Sequence, residues 1–208
     1  MKLKVCGLKH EQNIKELMRL PIDCMGFIFY KKSPRFVAEQ LSFDFVRTIP
    51  KQIKKVGVFV NENNYDIFNH IAHYDLDMVQ LHGNESPELC EELSEDTEVI
   101  KVFSIGKETG SIDKLIAPYD NVCDYYLFDT SVKGKKGGTG EKFDWKKLTD
   151  AKIEKPFFLS GGIGPEDAAL VKKFKHPDFF GIDVNSKFEK EPGVKDMALV
   201  LGFVKDMK

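Results

Sequence analysis

The sequence lacks the features that mark several common protein classes. Its four cysteines include no Cys-x-x-Cys pair, and the chain is not short and cysteine-dense, so zinc and disulfide frameworks are poorly supported. No apolar run approaches the roughly 20 residues of a membrane span. The first residues carry charges with no apolar segment behind them, unlike a signal peptide. These absences predict a protein of the reducing cytoplasm with no membrane partner.

Charge and nucleotide motifs narrow the range of ligands. Lys and Arg number 31 against 33 Asp and Glu, a net charge of -2, whereas nucleic-acid binders usually carry a basic patch. We therefore expect no nucleic-acid partner, although one pocket of an acidic chain can still bind a small anion. The glycine patterns of dinucleotide sites and of the P-loop are absent, which argues against nicotinamide cofactors and nucleoside triphosphates.

Eight short apolar runs rich in Val, Ile and Phe recur along the chain. Each is nearly continuous in its hydrophobicity, as expected for strands covered on both faces rather than for a half-exposed antiparallel sheet. The runs span residues 3–6, 22–30, 55–60, 78–81, 99–103, 125–129, 157–160 and 179–184. They predict eight buried strands.

Segments with helical spacing and capping signals lie between these runs. Ser86 and Pro87 combine an N-cap with proline at the first helical position. Gly164 and Pro165 form a second helix-start signal of the same kind. The predicted helices cover residues 13–20, a segment that begins at Pro87, and residues 144–148, 168–174 and 195–204. This alternation predicts one α/β domain over residues 1–208, a (β/α)8 TIM barrel near its lower size limit of roughly 200 residues. An open doubly wound sheet is the alternative.

Residues 130–142 differ from the rest because they combine four glycines with four lysines and almost nothing apolar. This composition predicts a mobile loop directly after the sixth strand, at the rim where barrel active sites form. Since the chain is acidic overall and glycine runs through the stretch, it indicates a flexible lid rather than a nucleic-acid patch.

Two chemically capable side chains stand at the ends of predicted strands. Cys6 ends the first strand and Asp129 ends the sixth, and the carboxyl ends of barrel strands meet at one rim. A lone cysteine there is often only a small buried hydrophobe, and such an aspartate often caps the next helix. A carboxylate directly after an apolar strand still needs a partner or a purpose. Both residues are therefore catalytic candidates.

The loops after the seventh and eighth strands are the usual phosphate site of this fold. Gly161 and Gly162 leave backbone N–H groups accessible in one loop, and Asn185 and Ser186 offer donors in the other. The glycines alone are equally consistent with an ordinary tight turn between strand and helix.

Two further candidates follow the second and fourth strands. The planar fork of Arg35 suits a carboxylate, although a loop arginine is usually just solvated. His82 follows the fourth strand, and its default interpretation is a histidine that holds the loop by hydrogen bonds. No second ligand lies at metal spacing, so no metal site is predicted.

Short motifs occur along the whole chain in a defined order. They are Lys4-Val5-Cys6-Gly7, Gly26-Phe27-Ile28-Phe29, Ser33-Pro34-Arg35, Val56-Gly57-Val58-Phe59, Gln80-Leu81-His82-Gly83, Phe128-Asp129-Thr130, Gly137-Gly138-Thr139-Gly140, Leu159-Ser160-Gly161-Gly162 and Gly181-Ile182-Asp183-Val184. No single motif is decisive, but from residue 4 to about residue 200 their order and spacing resemble those of the phosphoribosylanthranilate isomerase family.

The resemblance implies an isomerase of tryptophan biosynthesis. The implied reaction is the Amadori rearrangement of N-(5-phosphoribosyl)anthranilate to 1-(2-carboxyphenylamino)-1-deoxyribulose 5-phosphate. Asp129 would be the general acid that opens the sugar, and Cys6 the general base that takes the proton from C2′. Arg35 would face the anthranilate carboxylate, and Asp183 would have a supporting role. The implied substrate-binding residues are Arg35, His82, Gly161, Gly162, Asp183, Asn185 and Ser186.

The resemblance also bears on partners. No metal or organic cofactor is implied, because the substrate's own nitrogen serves as the electron sink. The implied partner is a small-molecule phosphosugar substrate, and the chain would be a monomer or a homodimer.

The eighth loop departs from the family pattern. The family usually reads Ser-Ser-Gly-Val-Glu where this chain has Asn185-Ser186-Lys187-Phe188-Glu189, so a glycine of the phosphate site is lost while Lys187 brings positive charge. The rival interpretations are another phosphate-binding barrel enzyme and a non-catalytic phosphosugar-binding barrel. An epimerase would want metal-ligating residues at several strand ends, and a scaffold would have no use for Cys6 together with Asp129.

Overall fold

The computed structural model describes residues 1–38, 40–130 and 143–208 of the chain. In this part of the chain, eight parallel strands form a closed barrel in chain order. They are β1 (Lys2–Val5), β2 (Cys24–Ile28), β3 (Lys54–Phe59), β4 (Met78–Leu81), β5 (Glu98–Ile105), β6 (Tyr125–Thr130), β7 (Phe157–Leu159) and β8 (Phe179–Val184). Because β1 pairs with β8, the barrel is closed and the alternative of an open sheet is wrong.

Helices connect successive strands and cover the outer face of the barrel. They are α1 (Glu11–Leu17), α2 (Phe43–Arg47), α3 (Asn64–Tyr74), α4 (Pro87–Ser94), α5 (Ile112–Ile116), α6 (Lys146–Thr149), α7 (Ala168–Lys173) and α8 (Met197–Met207). A short antiparallel hairpin of β9 (Glu189–Glu191) and β10 (Val194–Lys195) stands between β8 and α8. None of the described helices has both the length and the apolar character to cross a membrane.

The predicted strands agree with the observed ones to within two residues at each end, but several helix predictions need correction. α1 ends at Leu17 because the backbone turns at Met18, ahead of Pro21. α6 begins two residues later than predicted, and α2, α3 and α5 have no predicted counterpart. Of the predicted mobile loop, Thr130 is the last residue of β6, and residues 131–142 lie outside the described residues.

The alternation of side chains along each strand decides where the polar groups lie. One set points outward and packs beneath the helices in the main hydrophobic core. The other set fills the barrel interior with a smaller apolar cluster of Cys24, Val56, Met78, Ile100, Val102, Leu127 and Phe158. Two positions further along their strands, Gln80, Asp129 and Ser160 project to the same inner side, and there they line a cavity.

Candidate active site

A cavity of about 380 Å³ opens at the carboxyl ends of the barrel strands. Every residue that the sequence nominated lines it: Cys6, Arg35, His82, Asp129, Gly161, Gly162, Asp183, Asn185 and Ser186. The chain therefore brings residues from both halves of the barrel to one opening. The cavity has the volume expected of a small-ligand pocket.

Cys6 follows β1 and is almost fully buried in the cavity wall. Gly26 on β2 makes room for it, because a Cβ on this glycine would lie 2.7 Å from the Cys6 Sγ. Burial raises the pKa of the Cys6 thiol above its usual range, while the ammonium groups of Lys4 and Lys195 oppose that rise. The Asp183 carboxylate adds to it. The thiol is thus held among charges that set its protonation.

Lys4 lies below Cys6 on the inner face of β1, and its side chain is completely buried. Its Nζ donates to Asp183 Oδ1 at 2.8 Å, and Ser160 Oγ donates to Asp183 Oδ2 at 3.2 Å. Burial alone would lower the pKa of Lys4, but the Asp183 carboxylate and the Cys6 sulfur outweigh it and raise that pKa. Lys4 therefore stays charged inside the barrel.

Asp129 lies across the cavity rim on β6. Its Oδ1 accepts from the Thr130 amide at 2.8 Å, and its Oδ2 lies 3.2 Å from His82 Nε2. Gln80 Nε2 lies 3.1 Å from the other ring nitrogen of His82. If the Gln80 amide donates there, the ring proton is on Nε2 and points at Asp129. His82 therefore belongs to the Asp129 cluster rather than to a separate loop anchor.

Arg35 is bound by a carboxylate of the chain itself. Its Nη2 and Nε donate to Glu189 Oε2 at 2.6 Å and Glu189 Oε1 at 2.9 Å. Glu189 also accepts from Lys195 Nζ at 2.8 Å, and Asn185 Oδ1 accepts from the same ammonium at 2.7 Å. Burial favours a neutral Glu189, but the hydrogen bond from Arg35 and the Lys195 charge bring its pKa below the usual value. This network fixes the orientation of the Arg35 fork.

Comparison with known proteins places this geometry in one family. The sequence model of N-(5'phosphoribosyl)anthranilate (PRA) isomerase matches residues 3–206. The chain is 45% identical to the N-(5'-phosphoribosyl)anthranilate isomerase of Parabacteroides distasonis, covering 100% of this chain and 93% of that protein. The chain belongs to the N-(5'-phosphoribosyl)anthranilate isomerase family. The resemblance, and with it the predicted isomerase of tryptophan biosynthesis, is confirmed.

Solved isomerases of this family share the barrel. The phosphoribosyl anthranilate isomerase of Thermotoga maritima superposes with a TM-score of 0.84 at 28% identity, over 100% of this chain and 98% of that one. Another, solved in complex with reduced 1-(o-carboxyphenylamino)-1-deoxyribulose 5-phosphate, gives a TM-score of 0.80 at 28% identity, again over 100% and 98%. These matches support neither rival interpretation, another phosphate-binding barrel enzyme or a non-catalytic barrel.

The loop after β7 has unusual backbone geometry. Gly161 and Gly162 have φ values of 88° and 68°, which glycine adopts without the strain of other residues. A Cβ on Gly161 would also lie 2.7 Å from Asp129 Oδ1, so the glycine admits the carboxylate beside the loop. Lys187, which replaces the usual family glycine, is exposed and is not among the residues that line the cavity.

Sequence reasoning missed part of the isomerase site. It assigned no role to Lys4, Gln80, Ser160 or Lys195, and it named Glu189 only as part of a motif. Lys4 carried a usable signal, because a lysine inside an apolar strand two positions before Cys6 must point to the same side. Lys195 carried none, because a lysine in a charged stretch after the eighth strand is expected to be solvated. Among the described residues, no group of three or more His, Cys, Asp or Glu side chains is arranged to hold a metal ion.

Proposed function

We propose that this isomerase converts N-(5'-phosphoribosyl)anthranilate to 1-(2-carboxyphenylamino)-1-deoxyribulose 5-phosphate with Asp129 as general acid and Cys6 as general base. The observation that carries the proposal is that these two side chains, 123 positions apart in the sequence, line one small cavity. An aldose-to-ketose rearrangement needs one group that gives a proton and another that takes one on the same sugar.

In the first step, Asp129 protonates the ring oxygen and the bond from that oxygen to C1′ breaks. The nitrogen lone pair forms the C1′=N iminium as the ring opens. The Cys6 thiolate then takes the proton from C2′, and the electrons of that C–H bond form the enol amine. The enol amine becomes the ketone by moving a proton from the C2′ hydroxyl to C1′. The substrate nitrogen accepts the electrons, so the proposal requires no cofactor.

Asp129 is placed to act as the acid. His82 Nε2 and the Thr130 amide each bind one of its carboxyl oxygens. They leave the carboxyl group fixed in direction at the cavity wall, which reduces the reorganisation needed for proton transfer. We assign His82 to positioning Asp129 as well as to substrate contact.

The two charged ends of the substrate have separate places in the proposal. The phosphate would bind the amides around Gly161, Gly162, Asn185 and Ser186, where loops after β7 and β8 meet. The anthranilate carboxylate would meet Arg35 at Nη1 and the second N–H of Nη2, because Glu189 binds Nε and one N–H of Nη2. Asp183 acts through Lys4 in this arrangement. The oligomeric state and the cytoplasmic location stay predictions.

Rescue of a tryptophan auxotroph that lacks this isomerase tests the proposal. The wild type, Cys6→Ser, Asp129→Asn and the control Cys24→Ala should be expressed in it, and each purified protein assayed with the substrate. We expect rescue by the wild type and the control only, with kcat lowered about 10²- to 10⁴-fold in the two site variants. Failure of the wild type would overturn the activity, whereas full activity of either site variant would overturn its assigned role.

A further inference from the structure

Lys4 is a buried charged residue to which the isomerase reaction assigns no step. It lies two positions before Cys6, so the two side chains project to the same inner side of the barrel wall. Its exposed fraction is 0%, and that of Cys6 is 3%. An ammonium group in such a place is costly to keep charged unless it is paired. Its partners therefore show what it does.

Asp183 and Ser160 hold the Lys4 ammonium in place. Lys4 Nζ donates to Asp183 Oδ1 at 2.8 Å, with the Asp183 side chain only 6% exposed. Ser160 Oγ binds the second oxygen of the same carboxylate at 3.2 Å. The ammonium lies on the same inner side of the strand as the Cys6 sulfur, and its charge lowers the pKa of that thiol against the effect of burial. The buried Lys4 ammonium thus pairs with the Asp183 carboxylate and also acts on the Cys6 thiol, which must lose its proton to serve as a base.

The other charges around Cys6 are arranged differently. Lys195 approaches from β10, but its ammonium is bound by Glu189 at 2.8 Å and by Asn185, and Glu189 is shared with Arg35. Cys24 on the neighbouring strand β2 is in register with Lys4, and burial raises the pKa of the Cys24 thiol to about 12. Cys24 therefore stays neutral and does not compete with Cys6 for the ammonium.

We propose that Lys4 is a positioning residue whose ammonium, anchored by Asp183, is the counter-ion of the Cys6 thiolate. The inference rests on the proposed role of Cys6 as the general base. Burial of the sulfur favours the neutral thiol, which cannot remove a proton from carbon. The nearby ammonium charge compensates for part of that burial, and it keeps a reactive fraction of thiolate in the site.

The ionisation of Cys6 can be measured without the isomerase reaction. The folded protein is alkylated with iodoacetamide over a range of pH, and the rate is read from the Cys6 peptide by mass spectrometry. In Lys4→Met we expect the apparent pKa of Cys6 to rise by about 1 unit or more, so that alkylation near neutral pH slows about tenfold. Over the same range, kcat should fall about tenfold and recover as the pH rises, with KM changed less than about threefold.

A matched control separates this effect from damage to the barrel. Lys101→Met breaks another buried ion pair, with Glu85 at 2.7 Å, on the other side of the barrel. It should leave the Cys6 pKa unchanged, and Lys4→Arg should restore part of the wild-type value because it keeps the charge. If Lys4→Met does not fold, the double variant Lys4→Met/Asp183→Asn leaves no buried carboxylate unpaired. Because Asp183 itself raises the pKa of Cys6, the Cys6 pKa of this double variant is compared with that of Asp183→Asn, and it should again be higher.

The possible results are distinct. A Cys6 pKa in Lys4→Met within about 0.3 units of wild type overturns the role of Lys4, whatever the activity, since one opposite charge in contact shifts a pKa by more than that. Full activity of Cys6→Ser overturns the role of Cys6 instead. A raised Cys6 pKa together with an alkaline shift of the kcat profile supports the inference.

Discussion

Two buried lysine–carboxylate pairs lie on opposite sides of this barrel. Lys4 joins β1 to Asp183 on β8 at 2.8 Å, and Lys101 on β5 binds Glu85, in the loop after β4, at 2.7 Å. All four side chains are almost fully buried. The pair of Lys4 and Asp183 points into the barrel on the same side as Cys6. Lys101, in contrast, also binds the carbonyl groups of Leu81 and Gly83.

The difference follows from the position of each lysine in its strand. Lys4 has the same alternation as Cys6, so it points into the barrel interior beneath the cavity. Lys101 alternates with Ile100 and Val102, which belong to the interior apolar cluster, so it points outward to the loop that carries His82. The two ion pairs therefore have nearly equal geometry and burial, but the Lys4 pair acts on Cys6 whereas the Lys101 pair anchors a loop. Burial of a charge does not by itself mark a catalytic residue.

Removing each lysine is the strongest test of the comparison. We expect Lys101→Met and Lys4→Met each to lower the free energy of unfolding by about 3–5 kcal/mol, because a buried carboxylate is left without its partner. Lys55→Met is the control, since its partner Asp75 is 67% exposed and can be solvated. Urea denaturation measures all three.

The double variant Lys101→Met/Glu85→Leu should recover only part of the stability lost in Lys101→Met. It removes the unpaired carboxylate, but it also removes the hydrogen bonds that Glu85 accepts from the Asn61 and Gly83 amides. A loss below about 1 kcal/mol in either single lysine variant would contradict the view that these pairs are fully desolvated.

Two glycines give the next largest expected effect. Gly7 on the β1 side has a φ of 77°, and a Cβ there would lie 2.6 Å from Arg35 Cδ. Gly83 on the other side faces Glu85, with Oε1 2.6 Å from the position of an added Cβ. We expect Gly7→Ala to cost about 1–3 kcal/mol through backbone strain and to raise KM by moving Arg35. Gly83→Ala should lower stability by loosening the bonds of Glu85.

The distinction between the two sides of the barrel is wrong if Gly7→Ala and Gly83→Ala change KM and the free energy of unfolding in the same proportion. Gly202→Ala provides the reference, because nothing lies within 4 Å of a Cβ at that position in α8. It should stabilise the protein by up to about 1 kcal/mol, since alanine is the better helix former. Steady-state kinetics and thermal unfolding distinguish the three variants.

Much of this arrangement follows from the sequence. The eight apolar runs give the strands, and strand alternation then fixes which side chains reach the cavity. The start of α4 was also readable, since Ser86 is its N-cap and accepts from the Leu89 amide. α8 was predicted from residue 195, but Lys195 belongs to β10, and Asp196 is the N-cap that accepts from the Ala198 and Leu199 amides.

The remainder depends on contacts between distant segments. Arg35 is predicted to face a substrate carboxylate, but nothing in the sequence indicates that Glu189, 154 positions along the chain, holds its fork. A glutamate in a charged hairpin reads as a solvated surface residue in sequence. Lys195 pairs with Glu189 across the local β9–β10 hairpin, but a lysine in such a hairpin is also expected to be solvated, and its burial depends on the folded barrel. Local propensity carries no information about such pairings.

Acid titration compares the carboxylates of the two sides. Burial would raise the pKa of Glu85, but the charge of Lys101 lowers it below its ordinary value of 4.5, and Arg35 with Lys195 does the same for Glu189. A carboxylate whose pKa is lower in the folded state stabilises the protein at pH values above its unfolded-state pKa. That stability is lost as the pH falls below 4.5 toward the folded-state pKa. Each group adds at most about 1.4 kcal/mol per pH unit to the slope.

Glu85→Gln and Glu189→Gln should each flatten the fall in unfolding free energy between neutral and acid pH. Glu91→Gln, at an exposed position of α4, should leave the slope unchanged. An unaltered slope in Glu85→Gln would show that the pair with Lys101 is not maintained in solution. Glu189→Gln should also change KM, whereas Glu85→Gln should not, because Glu189 holds the Arg35 fork at the cavity.

The smallest expected effect concerns Asn185, where this isomerase departs from its family. Asn185 Oδ1 accepts from Lys195 at 2.7 Å, but Glu189 Oε1 and the Asn185 carbonyl also bind that ammonium. Asn185→Ser, which restores the residue usual in the family, should therefore cost only about 0.5–1.5 kcal/mol of unfolding free energy. KM should stay within about twofold, because the proposed phosphate contacts use backbone amides that serine keeps. A tenfold rise in KM with unchanged stability would mean that the Asn185 side-chain amide binds the substrate directly, and Lys195 would then be stabilised mainly by Glu189.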